Sequence, residues 1–390
     1  MFETSLIGKF IPARTARLAV VLVLAVLAVP LVASAQSWTW TTETVDTKPA
    51  RFISLASDKE GNLHVSYVTD PDELRYGFRP AGSSKWYTMR VDRGLSNTTL
   101  RLDREGNPHI CYISYGELKY AWLDGSKWMI HHVAPNSGLI SYNCGMGIGP
   151  DGTPHLTWYH ERLPDSTIYI RMRYATLKDG QWIVRTLDQD PGTGKWSTIQ
   201  VDEQGRPHII YTAWDKHQAR YASWDGQAWS TTSIGRTGLG TREVPRGMGN
   251  SMVLDAKGNP NVSYFDELSL KYARRENGNW VIHAVDTIGD TAWNDFSGFR
   301  SSLVLDGDGR PHISYEDAGA LKHAYWDGQR WRIQLIANRA ASSFRYSSFA
   351  TDPNGALYLA FQDGVDRSLR VAVGRSAPAD STAAQKQENQ

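Results

Sequence analysis

The sequence predicts an all-β fold, a seven-bladed β-propeller of four-stranded antiparallel blades, and three observations lead there. An Asp-x-x-Gly turn recurs as Asp58/Gly61, Asp103/Gly106, Asp202/Gly205, Asp255/Gly258, Asp306/Gly309 and Asp352/Gly355, with Gly149/Gly152 in that slot of the third copy. The glycines lie 45 to 53 residues apart, the period of one propeller blade. Between turns, short apolar runs alternate as strands do rather than at helical spacing.

The elements follow in a fixed order. The copy at Ser302 to Ile336 shows it most clearly: SLVL, PHISYE, LKHAYW and WRIQLI, separated by DGDGR, EDAGA and DGQR. Gly and Asp supply the tight reversals that an antiparallel meander needs. Second strands read LHVSY, PHICY, PHLTW, PHIIY, PNVSY, PHISY and LYLAF, and third strands resemble LKYA. A tryptophan opens the fourth strand at Trp86, Trp128, Trp182, Trp229, Trp280 and Trp331. The seventh copy stops near Gly374 without a fourth strand, while SWTWTTETVD, Ser37 to Asp46, reads as a fourth strand with no blade. Joining the two closes the ring and removes two sheet edges that would otherwise invite aggregation. The expected blades are therefore about residues 51–92, 97–134, 141–188, 196–234, 249–285, 298–336, and 344–374 with 37–46.

Two segments fall outside the ring. Lys9, Arg14 and Arg17 precede an apolar run from Leu18 to Val32, and Ala33-Ser34-Ala35 offers small residues for cleavage. Residues 1–35 thus read as a secretory signal peptide, and the protein is expected to be secreted or periplasmic with no membrane span after cleavage. Residues 375–390 have no apolar period and read as a disordered tail. Without the signal segment, 39 basic residues (42 minus 3) face 40 acidic ones (41 minus 1), so charge gives no argument for nucleic acid. A monomer is expected. The only cysteines, Cys111 and Cys144, replace residues that are often serine in other copies. A disulfide would staple neighbouring blades across a loop of about 33 residues, worth roughly 3 to 4 kcal/mol; two buried thiols are the alternative.

Repeats of the form LDxxGxPHISYxDxxxLKYAxxDGxxW resemble those of the sialidase-like, or BNR-repeat, group of secreted bacterial propellers. The resemblance covers nearly the whole mature chain at the level of repeat architecture, and it implies an extracellular propeller. Sialidases carry an Asp-box, Ser-x-Asp-x-Gly-x-Thr-Trp, between third and fourth strands, and usually have six blades. Here Asp124-Gly125-Ser126-Lys127-Trp128, Asp225 to Trp229 and Asp327 to Trp331 hold that place, one residue shorter and without the serine. A shared propeller does not carry sialidase activity with it.

The copies act as controls on one another. His64, His109, His155, His208 and His312 occupy one repeat slot, on separate blades, so they are expected to hydrogen-bond within the scaffold rather than share a metal. Asp306-Gly307-Asp308-Gly309 has a faint likeness to a calcium loop but fills an ordinary turn, and no cofactor is expected.

Function is expected where copies differ, on the face formed by the loops joining strands two to three and four to one. Ahead of the first strands, Arg51, Tyr142, Lys195 and Arg345 share one register, and Asn97, Asn143, Trp196, Arg300 and Tyr346 the next. Arg51, Arg300 and Arg345 fall on neighbouring blades of a closed ring and suit a carboxylate, sulfate or phosphate. Trp196, Trp293, Phe299 and Tyr346 suit the flat faces of sugars. The competing expectation is a salt-bridged rim, with the arginines held by Asp70, Asp72, Glu117, Glu161, Asp215, Asp266, Glu316, Asp317 and Asp363. Two functions follow: a binding protein for a glycan or a protein ligand, or a carbohydrate-active enzyme on the same face. A lyase would draw proton carriers from His160, Tyr142, Tyr346 and His217; a hydrolase would need two carboxylates, for which Glu161, Asp215, Asp295 and Glu316 are available. A scaffold in a cell-envelope assembly is a further possibility.

Overall fold

Each repeat forms one sheet. The computed structural model describes residues 37–134, 140–160, 170–237, 248–266, 269–288, 299–317, 319–338 and 346–377. The expected signal segment lies outside these residues, as does the expected tail from residue 378 onward. Among the described residues, no helix is long and apolar enough to cross a membrane.

Seven antiparallel meanders make up the ring. In the first blade, Ala50–Ser57, Leu63–Thr69, Glu73–Arg79 and Tyr87–Arg93 run from the inner to the outer edge. In the sixth the order is Phe299–Leu305, Pro311–Asp317, Ala320–Trp326 and Trp331–Asn338. Each innermost strand touches those of the blades before and after it, and Ser347–Thr351 of the seventh blade meets Ala50–Ser57 of the first. The seventh blade takes its outer strand from the other end of the chain. Ser37–Asp46 pairs antiparallel with Leu369–Ala377, from Ser37 opposite Ala377 to Thr44 opposite Arg370. The last strand thus runs past Gly374. Trp40 lies opposite Gly374 as Trp128 lies opposite Leu123, so Trp40 fills the fourth-strand tryptophan slot. Gly374 leaves room for it, because an added Cβ would come within 2.7 Å of the indole.

The core is divided among the joints between blades. Cys111, Ile113, Leu118 and Tyr120 of the second blade meet Cys144, Met146, Leu156 and Trp158 of the third. Each of the other six joints has its own cluster, including the closure joint, where Val45, Val371 and Val373 pack on Leu55, Leu63 and Val65. A lone blade would leave both its faces in water, so the ring is the folding unit.

Near the axis, serine hydroxyls bridge one inner strand to the next. Ser54 Oγ accepts from Leu100 N (3.0 Å), Ser251 from Leu303 (3.0 Å), Ser302 from Phe349 (2.9 Å) and Ser348 from Leu55 (2.9 Å). These bonds satisfy backbone donors that an inner sheet edge would leave open. Farther out, the repeated histidines complete relays within their own blades. His64 Nδ1 lies 2.7 Å from Tyr76 Oη and its Nε2 lies 3.3 Å from Asp58. His109 and His208 repeat this with Tyr120/Asp103 and Tyr221/Asp202. His155 meets Tyr174 at 2.6 Å, and His312 meets His323 at 2.9 Å. Where the histidine is missing, Asn261 accepts from Tyr272 (2.5 Å) and Tyr358 donates to Asp352 (3.0 Å). Burial outweighs the nearby carboxylates and holds these imidazoles below their ordinary value, His155 at about 4. The tyrosines then meet the next blade's tryptophan edge-on, as in Tyr76–Trp128 and Tyr221–Trp280, both at 5.3 Å. Such pairs contribute about 0.5–1.5 kcal/mol each. The scaffold reading of the histidines and tryptophans is the observed one.

The expected bridge between Cys111 and Cys144 is not formed. Both are buried free thiols, and Cys144 Sγ instead donates to the Asn97 carbonyl at 3.8 Å.

Candidate functional site

At the loop-rich mouth, the backbone itself departs from the repeat. In the first four blades the inner strand carries an irregularity in register: Arg51 to Ser54, Ser96 to Thr98, Ile140 to Cys144 and Lys195 to Thr198. Phe52, Asn97 and Trp196 sit at the breaks of the first, second and fourth blades with φ of 54°, 31° and 50°. Left-handed backbone is uncommon for any residue with a side chain and unusual for bulky ones, and it costs on the order of 1–3 kcal/mol per site. The inner strands of the fifth, sixth and seventh blades pair without such breaks. The distortion is thus confined to one arc of the mouth.

Two clusters of aromatic and cationic side chains form there. On the fourth blade, the Lys195 ammonium lies 4.5 Å from the Trp214 ring and 5.9 Å from the rings of Trp196 and Tyr159. Trp196 and Trp214 are themselves tilted together at 5.6 Å. The short 3-10 turn Trp214–Lys216 places Trp214, and it ends at His217 in left-handed backbone. His217 is exposed.

The second cluster joins the sixth, seventh and first blades. The Arg300 guanidinium stands 5.1 Å over the Tyr346 ring, and Tyr346 packs on Phe52 at 4.7 Å. Arg300 is only half-buried, yet it lies deep enough that burial lowers its pKa, with Tyr346 and Tyr159 partly offsetting the fall. Its Nε is buried without a hydrogen-bond partner, and no described carboxylate forms an ion pair with it. Blade five supports it from behind. Met248–Gly249 pairs in parallel with Phe299 and Arg300, and a Cβ on Gly249 would lie 3.0 Å from Arg300 Cγ.

Of the three arginines expected to converge, Arg345 lies outside the described residues and Arg51 is already engaged. Arg51 is held in a fork by Asp70 and Asp72, the latter at 2.8 Å, because its own second strand ends beside it. Elsewhere on this face Lys322 pairs with Asp317 (2.5 Å) and Arg370 with Asp363 (3.1 Å). The salt-bridged rim describes these groups, and Arg300 is the exception among them. Asn143 also turns out to serve the scaffold, donating to the Ser197 carbonyl of the next blade at 3.2 Å. Tyr142, His160 and Phe299 lie in the strands Ile140–Ile148, Pro154–His160 and Phe299–Leu305, while their side chains fall outside the described part. Trp293 and Arg345 lie outside the described residues, as do Glu161 and Asp295 and most of the loops around them.

Phe52, Tyr159 and Trp214 were not among the expected site residues. Phe52 shares the register of Asn97 and Trp196, which was a usable signal. Tyr159 reads as an ordinary strand tyrosine, and only folding places it by Lys195.

Two other places deserve mention as scaffold. A groove of about 450 Å³ between the third and fourth blades is lined by Asp188, Asp190 and Arg220, but Arg220 is bound to Asp188 (2.7 Å) and Asp190 (2.9 Å). The turn at Asp306 has its carboxylate on Arg310 Nε (2.8 Å), and Asp308 pairs with the same arginine (2.7 Å). Among the described residues, no group of three or more His, Cys, Asp or Glu is placed to hold a metal.

No family model matches the sequence, and no curated protein matches it. The chain is similar in fold to solved propellers. One is a polysaccharide lyase, a PL25 ulvan lyase bound to -[GlcA(1-4)Rha3S]-, at a TM-score of 0.56 and 13% identity over 85% of this chain and 95% of that one. Another is a mutant of Aleuria aurantia lectin in complex with Fucalpha1-6GlcNAc, at 0.50 and 14% identity over 75% and 97%. AofleA from Arthrobotrys oligospora gives 0.50 and 13% identity over 78% and 91%. At these identities the likeness is one of fold.

Proposed function

We propose that this protein binds an anionic glycan at the mouth of the ring, with Arg300 receiving the acidic group and the two aromatic clusters receiving sugar faces. The observation that carries this reading is Arg300 itself: a guanidinium paired with no described carboxylate, on a face where Arg51, Lys322 and Arg370 all have one. A buried charge left uncompensated is costly, and such a cost is tolerated where a ligand supplies the counter-charge. Trp196, Trp214, Tyr346 and Phe52 add flat apolar area on either side. Fold neighbours whose names include lectins support a glycan as the ligand class.

A second reading, a polysaccharide lyase, is favoured by the closeness of Arg300 to Tyr346 and Tyr159. Elimination beside a uronic carboxylate needs a cation to neutralise that group and a side chain to move a proton. The fold neighbour named as an ulvan lyase bound to a glucuronate-containing chain keeps this reading alongside the first. The sialidase-like resemblance of the repeats remains part of the proposal as a statement of ancestry and export, without sialidase chemistry. The protein acts outside the cytoplasm, as a monomer, and without calcium or another cofactor.

One screen tests both. The purified chain is offered neutral and acidic polysaccharides, and retention is measured together with new reducing ends and the ultraviolet absorbance of a new double bond. Retention of acidic polymers alone, lost in Arg300→Ala, is the expected result. Product formation lost in the same variant moves the conclusion to the lyase. No retention by any polymer overturns both and leaves a protein ligand.

A further inference from the structure

The joint between the second and third blades differs from the first, third and fifth joints at one pair of atoms. In the first joint, Ser66 Oγ and Thr98 Oγ1 are 2.7 Å apart; in the third, Thr157 and Ser197 hydroxyls are 3.0 Å apart; in the fifth, Ser263 and Ser301 are 2.8 Å apart. These pairs occupy one repeat position. Ser66, Thr157 and Ser263 lie opposite Ser54, Gly145 and Ser251 in their ladders, and Cys111 lies opposite Thr99 in the same way. Cys144 immediately precedes Gly145, as Thr98 precedes Thr99, Ser197 precedes Thr198 and Ser301 precedes Ser302. The second joint therefore places two thiols where the first, third and fifth place two touching hydroxyls.

We propose that Cys111 and Cys144 are a modification site, a disulfide that locks the second blade to the third when the chain meets a thiol–disulfide oxidant. The slot already brings side-chain atoms one bond beyond Cβ to hydrogen-bond distance, and both cysteines face the same cluster with Met146 and Trp158. Export, expected from residues 1–35, supplies an oxidising compartment. Local electrostatics bear on which sulfur reacts first. Burial pushes the Cys111 thiol up and Cys144 adds to the rise, while the Arg101 guanidinium opposes both. Arg101 has no ion pair to a described carboxylate; its Nη1 donates to the Leu100 carbonyl at 2.8 Å. It is positioned to favour a Cys111 thiolate while the joint is still open during folding.

The chemistry balances with a small-molecule disulfide as oxidant. The Cys111 thiolate attacks one of its sulfurs and expels a first thiol; deprotonated Cys144 then attacks the mixed disulfide and expels a second. Two protein thiols lose two protons and two electrons to form one S–S bond, and the oxidant becomes two thiols. The proposal is independent of any ligand at the mouth.

The test is made on the full chain, refolded from denaturant in oxidised or in reduced glutathione and then unfolded in an alkylating reagent before intact-mass measurement. The oxidised sample should take up no alkyl groups and yield a peptide linking Cys111 to Cys144, while the reduced sample takes up two. The apparent Tm of the oxidised sample should be higher by roughly 5 °C. This difference should vanish in the Cys111→Ser/Cys144→Ser variant, which keeps its fold by forming the hydroxyl pair of the first, third and fifth joints. Full alkylation of both samples, a glutathione adduct without a cross-link, or covalent dimers would each overturn the proposal. Should the double variant fail to fold, the mass measurement on the native chain decides alone.

Discussion

On the face made by the Asp-x-x-Gly turns, polar side chains find partners in their own blade. His64 has Tyr76 and Asp58, His109 has Tyr120 and Asp103, and His208 has Tyr221 and Asp202. On the opposite face the same ring leaves Arg300 against an aromatic ring and paired with no described carboxylate, and holds Phe52 and Trp196 in left-handed backbone. Both faces are built on the same strands. The difference teaches that repetition marks satisfied chemistry, whereas the open chemistry lies where one blade departs from its siblings.

The largest test of this contrast is acidity. The folded-state pKa of His155 is depressed to about 4 from 6.5, so below the ordinary value the unfolded chain binds a proton that the fold refuses. Its contribution is whole above about pH 6.5 and is lost as pH falls towards about 4, roughly 3 kcal/mol for this residue alone. Urea unfolding followed across that window should show the loss. His155→Asn, which copies Asn261 in the fifth blade, should flatten the slope; an unchanged slope would sink the relay account.

At the mouth the effects should appear in binding rather than stability. Arg300→Ala should weaken retention of an acidic polysaccharide roughly 10- to 100-fold, the worth of a hydrogen-bonded charge. Because the variant removes an uncompensated charge, its melting temperature should hold or rise. A variant that melts lower and binds as before would make Arg300 scaffold. Trp214→Ala should cost about 1 kcal/mol of affinity, near fivefold, through the lost sugar face and the lost contact with Lys195. The smallest change belongs to Arg51→Ala. With its guanidinium committed to Asp70 and Asp72, binding should shift by less than about twofold and stability by no more than about 1 kcal/mol. Calorimetry with one acidic polymer ranks all three, and a larger loss for Arg51 than for Arg300 would reverse the contrast drawn between them.

Much of the fold was legible before any coordinates. Turn spacing and strand period set the blade, the orphan strand at Ser37 to Asp46 set the closure, and the shared slot of five histidines marked them as scaffold. Those are local patterns repeated seven times, and repetition makes a weak local signal strong. The site was legible only as a face. Arg51 and Arg300 look equivalent as arginines ahead of a first strand, but two aspartates end the second strand beside one and no described carboxylate pairs with the other. Tyr159 comes to Lys195 only because blades three and four close against each other, and Trp214 only because the fourth blade's own turn folds back over it. By itself, then, the sequence determined the repeat, the ring and the role of nearly every repeated residue. Tertiary structure alone decided which charges are neutralised and which hydroxyls touch, because those depend on side-chain distances within and between blades that the linear repeat does not state.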